Sequence, residues 1–197
     1  MKSTLPTASE LENFYWHCEV AAYLITNFPS NAATNSNIAH AVRLATLCCT
    51  GKNGIRYATR RAYETKVGTT LGWYKLGLTR EHVIPVNVVV KNVLASAVPT
   101  SPPTWDTVIK HLTPADLARW KSPTETASSA PLAAAIAAQV RNHTLVAWAS
   151  KKDDEQLRSA GLTAKMPPSY DGSDRFARYT FCGIEVVDLH ANPLATT

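Results

Sequence analysis

The sequence predicts an α+β chain, mostly helical and folded as a single domain, with a small antiparallel sheet of about three strands. Three observations predict it. Apolar residues recur at helical spacing through most of the chain. Only a few short runs are rich in β-formers and bounded by breakers. The 197 residues, 45% hydrophobic and 18% charged, suit one domain with a sizeable core. That domain is expected to span 1–197, with a helical part over about 8–66, a small β/α part over about 68–189 and a frayed tail at 190–197.

The elements follow in order. Ser9-Glu-Leu-Glu12 reads as a capping box opening a helix from Glu10 to Asn27, ended by Pro29. Its apolar face is Leu11, Phe14, Cys18, Ala21, Ala22 and Ile25. Ser30–Asn37 is a polar loop. A second helix covers Ile38–Cys49 and stops at Gly51, and a third covers Ile55–Thr65. Leu78–Ile84 is a short strand closed by Pro85, and Val86–Ser96 is helical despite its β-branched run. Ser96–Thr104 and Ser122–Pro131 are loops around two short helices, Trp105–Leu112 and Pro114–Trp120. Thr113-Pro-Ala-Asp116 supplies the second start signal. Leu132–Arg141 is Ala-rich and helical, and His143–Ala149 is a buried strand. Ser150-Lys-Lys-Asp153 then caps a helix ending near Gly161, and Phe181–Leu189 is the last strand. The strands at 78–84 and 143–149 each need a partner for their backbone groups. They are expected to pair antiparallel, with the helix from Lys151 packed across both.

Composition excludes several classes. The longest apolar stretches, such as Pro131–Val140, fall well short of the roughly 20 residues that span a bilayer. The first residues lack the basic-then-apolar pattern of a secretory signal. The expectation is a cytoplasmic protein with no membrane partner. Cys18, Cys48, Cys49 and Cys182 have no zinc-knuckle spacing, so buried thiols are expected and structural zinc is not. The sequence leaves the oligomeric state open.

The net charge of +5 is concentrated. Lys52, Arg56, Arg60, Arg61, Lys66, Lys75 and Arg80 face only Glu64 and Glu81 across residues 51–82, with Tyr57, Tyr63, Trp73 and Tyr74 interleaved. A helix over 54–66 would place Arg56, Arg60 and Tyr63 on one face. Cations beside aromatic rings suit a phosphate backbone, so Arg56, Arg60, Arg61, Lys66, Trp73 and Arg80 are the candidate nucleic-acid contacts. A plain solvated basic face is the competing reading. Lys151-Lys152 beside Asp153-Asp154-Glu155 reads as a solvated helix start, and Arg175-Phe-Ala-Arg178-Tyr179 as a surface helix.

One short run carries candidate chemistry. In Glu81-His82-Val83-Ile84-Pro85 an acid adjoins a histidine at the end of a strand. The carboxylate can hold a divalent cation and the imidazole can take a proton from water. This run resembles the first motif of HNH nucleases, the ββα-metal class. The resemblance implies phosphodiester hydrolysis of DNA, with His82 as general base and Glu81 ligating Mg²⁺ or another divalent cation. It also implies a middle Asn, matched by Asn142 before the strand at 143–149, and a further ligand on the next helix, matched by Asp154. Two other readings stand beside it. One is a non-enzymatic module that uses the basic face 51–82 to bind nucleic acid or a protein partner. The other is a partly buried, backbone-bonded His82 with Glu81 paired to Arg80 or Arg60.

Overall fold

The computed structural model describes residues 6–28, 36–49, 55–97, 105–121 and 129–192. The stop signals Pro29 and Gly51, Lys52, most of the loop 30–37, the loop stretches 98–104 and 122–128, and the tail from 193 lie outside the described residues. The fold is α+β and mostly helical, and it divides into two compact units, each built from two stretches of chain. Residues 55–88 and 145–192 form a sheet unit, and the described residues within 3–51 and 89–144 form a helical unit.

In the helical unit, α1 (Ala8–Asn27) starts at Thr7, one capping box earlier than Ser9–Glu12 predicts. The Thr7 hydroxyl accepts from the Glu10 amide at 3.2 Å and the Glu10 carboxylate accepts from the Thr7 amide at 2.8 Å. Two overlapping boxes compete here, and the upstream one satisfies the same orphan donors while lengthening the helix. Phe14, Cys18, Ala21, Ala22 and Ile25 are buried as the pattern requires. They lie on a helix that packs against α2 (Ser36–Cys49) and the later helix over Ala130–His143.

The sheet unit has four strands in the order β2-β3-β1-β4. β1 (Tyr57–Thr59) lies inside the segment expected as helix, which shortens to α3 (Arg60–Lys66). β2 (Thr79–His82) follows a 3-10 turn at Trp73–Leu76. Next along the chain come α4 (Val86–Ala97), α5 (Trp105–Val108), α6 (Pro114–Lys121) and α7 (Ala130–His143). The α6 start signal forms as expected, since the Asp116 amide bonds the Thr113 hydroxyl at 3.2 Å. Asp116 is buried there against Arg141, 3.0 Å away. β3 (Val146–Ala149), α8 (Lys151–Ser159), α9 (Ala177–Phe181) and β4 (Val186–Asp188) complete the described chain.

β2 and β3 pair antiparallel, with Arg80 opposite Trp148 and His82 opposite Val146, as expected. β4 pairs antiparallel with β1, but β1 and β3 run parallel. The sheet is therefore mixed and four-stranded rather than antiparallel with three strands. The extra strand, β1, takes its backbone partners from two neighbours remote in sequence. The final strand also shrinks: Gly183, at φ 65°, takes the left-handed conformation after α9, and only 186–188 remain extended. Leu157 of α8 packs with Val83, Ala147 and Tyr179 on one face of the sheet. Ala62 of α3 and Leu78 pack with Ala58 and Trp148 on the other. Among the described residues no helix is long and apolar enough to cross a membrane.

Candidate functional site

Strand alternation sends Glu81 and His82 to opposite faces of the sheet. Glu81 stands beside Ala147, on the face covered by α8 and α9, and His82 stands opposite Val146. On the first of these faces lies a residue that the sequence reading took for surface. Arg178 of α9 is 0% exposed. Its Nη2 donates to Glu81 Oε1 at 2.6 Å and to the His82 carbonyl, its Nε to the Val83 carbonyl at 2.9 Å, and its Nη1 to the Leu162 carbonyl at 3.0 Å. A buried guanidinium is tolerable only when its fork of donors is filled this way. Glu81 thus pairs with Arg178, and Arg60 pairs with Glu185. The signal for this lay in Arg178-Tyr179, a cation next to an aromatic that is itself fully buried.

His82 is partly buried and its Nε2 has no hydrogen-bond partner. Burial, then the charges of Arg80 and Arg178, push its imidazole down to about 4. It is neutral at pH 7 and a weak base, whereas a general base works best with a value near the working pH. Asp154, the expected metal ligand, pairs with Arg158 at 2.8 Å. Asn142 sits in the last turn of α7, in the helical unit, and not at the start of a strand. No three His, Cys, Asp or Glu side chains stand together as a metal-binding group among the described residues. The two expected ligands are each held by an arginine instead, Glu81 by Arg178 and Asp154 by Arg158.

Known proteins give no guide here. The chain matches no family model, no curated protein and no solved structure. Its own geometry carries the functional reading.

The basic segment does not form one face. Arg56 precedes β1 and so leaves the helix face, whereas Arg60 opens α3 with its guanidinium 5.9 Å from the Tyr63 ring centroid. Arg56 pairs with Asp188 at 2.5 Å and Arg60 pairs with Glu185. The Arg56 guanidinium holds the Asp188 carboxyl down at about 2. Both acids border a groove of about 530 Å³ with Asp174, Tyr57 and Phe176, where the local charge is negative or balanced. Lys66 Nζ donates to the Thr69 carbonyl at 2.6 Å. Trp73 lies parallel to Trp148 at 5.1 Å and is a partner of the core. Arg80 lies opposite Trp148 on β2.

Arg61 belongs to a different setting. A second groove of about 580 Å³ is lined by Arg61, Thr65, Gly77, Ser150, Lys151 and Lys152, with Glu64 as its acid. Asp153, 1% exposed, anchors this wall. Its carboxylate accepts from Thr59 at 2.6 Å, from the Ser150 hydroxyl at 2.6 Å and amide at 3.1 Å, and from Arg61 at 2.7 Å. Burial alone would raise this carboxyl, but the bonds from Ser150, Thr59 and Arg61 outweigh it and hold it below its ordinary value. The capping box expected at Ser150–Asp153 is present. Its acid is buried structure, however, where the sequence reading had a solvated helix start. Lys151 and Lys152 are exposed at the first two positions of α8. A cation there opposes the helix dipole at a cost of about 0.3–1 kcal/mol each. The sequence reading missed this pair, although two lysines at a capped N-terminus are a placement that helix stability does not favour.

Proposed function

We propose that the sheet unit is a binding module for a polyanion, nucleic acid in the first place, and that the groove between α3, the 3-10 turn and α8 holds the phosphates. One observation carries this reading: exposed Lys151 and Lys152 border one groove beside Arg61, whose charge is shared with buried Asp153, and Glu64 is the acid on the lining. Arg61 is half-exposed, and its bond to buried Asp153 fixes the guanidinium at the groove wall. Lys151 and Lys152 add mobile point charges. Arg56 and Arg60 do not line this groove and pair with Asp188 and Glu185. Binding should weaken as salt rises. The variant Lys151→Gln/Lys152→Gln should flatten the log–log salt slope by about 1.4 on a single strand, at about 0.7 per phosphate contact. Fluorescence anisotropy of a labelled oligonucleotide across a salt series measures it. An unchanged slope would place the contact elsewhere.

A second reading, phosphodiester hydrolysis of the HNH type, keeps one specific support. β2 and β3 pair antiparallel and α8 follows and packs on them through Leu157, a ββα order with His82 on its first strand. No hydrolytic step is assigned to the residues as they stand. Plasmid nicking with Mg²⁺ or Mn²⁺ that His82→Ala abolishes, in a folded protein, would establish it. No nicking by wild type would remove it.

A further inference from the structure

Resting on the groove reading above, we infer that the ligand is a single-stranded nucleic acid, with one unpaired base stacked on Tyr74 while its neighbouring phosphates lie in the groove. The 3-10 turn carries both halves of this site. Leu76 and Gly77 form part of the groove wall. Tyr74, two residues earlier, is 64% exposed. The turn is rigidly closed. Gly77, at φ 72°, returns its amide to the Tyr74 carbonyl at 3.1 Å, and the Leu78 amide bonds the Trp73 carbonyl at 3.2 Å. Beneath, the edge-on contact of Tyr74 with Trp148 is 4.9 Å between centroids, and Trp148 is itself stacked on Trp73. The ring is braced by the core through Trp148 and still open to solvent.

Charge complementarity selects a polyanion, and the ring selects its form. Consecutive Cα atoms are about 3.8 Å apart, so Tyr74 lies within about 8 Å of the Leu76 wall along the chain. That is a reach of about one nucleotide. In a duplex the base faces are covered by their neighbours, and a side chain beside the backbone meets phosphates alone. In a single strand each base offers a face, and stacking on an aromatic ring is tolerant of sequence. Lys151, Lys152 and Arg61 would serve either form, whereas Tyr74 serves only the open one.

The test compares labelled oligo-dT with a hairpin duplex of equal phosphate number, both titrated by anisotropy into the full-length protein. Wild type should bind oligo-dT more tightly. Tyr74→Ala should weaken oligo-dT binding by roughly five- to a hundred-fold and leave the duplex unchanged, and Tyr74→Phe should retain wild-type affinity. Lys151→Gln/Lys152→Gln should weaken both. Oligo-dT affinity unchanged in Tyr74→Ala, with the lysine variant still weakened, would overturn the stacking inference and leave the groove reading in place. Binding of neither form by wild type would overturn both.

Discussion

The buried imidazole of His82 makes the folding of the sheet unit sensitive to mild acid. An unfolded histidine takes its proton near 6.5, and in the fold His82 does so only near 4. Above the unfolded value both states are neutral and the group contributes no pH dependence. Below it the unfolded chain gains a proton that the folded chain refuses, so stability falls until the pH reaches the folded value. Between about pH 7 and 4.5 this amounts to about 2 kcal/mol. His82→Leu removes the effect. It also removes a buried Nε2 that lacks a partner, so the variant should be at least as stable as wild type at pH 7. Urea unfolding of both proteins at the two pH values isolates the term, because the other titrating groups cancel in the difference. Equal pH dependence in wild type and variant would refute the reasoning. So would an NMR titration of the His82 ring near 6.5, which would instead suit a general base.

Further outcomes follow from the same contacts. Arg178→Met strips the partners from Glu81 and from the carbonyls of His82, Val83 and Leu162, and should cost about 3–5 kcal/mol in urea unfolding. Arg178→Lys cannot rescue it, because an ammonium lacks the fork. Asp153→Ala removes the α8 cap and the anchor of Arg61 together, and should cost about 2–4 kcal/mol. The Asp153 carboxyl is held below its ordinary 3.8, so its contribution is complete above that value and is lost as the pH falls beneath it. A stability profile down to acid pH, compared with the Ala variant, checks this. Lys151→Gln/Lys152→Gln should raise stability by about 1 kcal/mol by relieving the helix dipole, even as it weakens binding, and thermal unfolding reads the gain.

Much of the fold was legible where local signals and tertiary needs agree. Ser150-Lys-Lys-Asp153 and Thr113-Pro-Ala-Asp116 start helices where the capping chemistry places them. The β2–β3 pairing followed from two short strands, each needing a partner, and it formed across a long intervening stretch. β1 was not legible as a strand. Its three residues have helix-compatible neighbours, and only the alternation Ile55, Tyr57, Thr59 hints at extension. Two remote strands hold it extended. The candidate site was read less well, because charge in sequence is not charge in space. Arg56 and Arg60 find Asp188 and Glu185 more than a hundred residues away, and Arg178 finds Glu81. Lys151 and Lys152 reach the groove from a helix whose sequence alone looks like ordinary solvated surface.

The most direct test of the groove is a two-dimensional amide NMR titration of the full-length protein with oligo-dT. Shift changes should cluster at residues 61–65, 74–78 and 150–152, and fade as salt is added back. Changes centred instead on Arg56, Arg60 and Asp188, or no changes at low salt, would contradict the account.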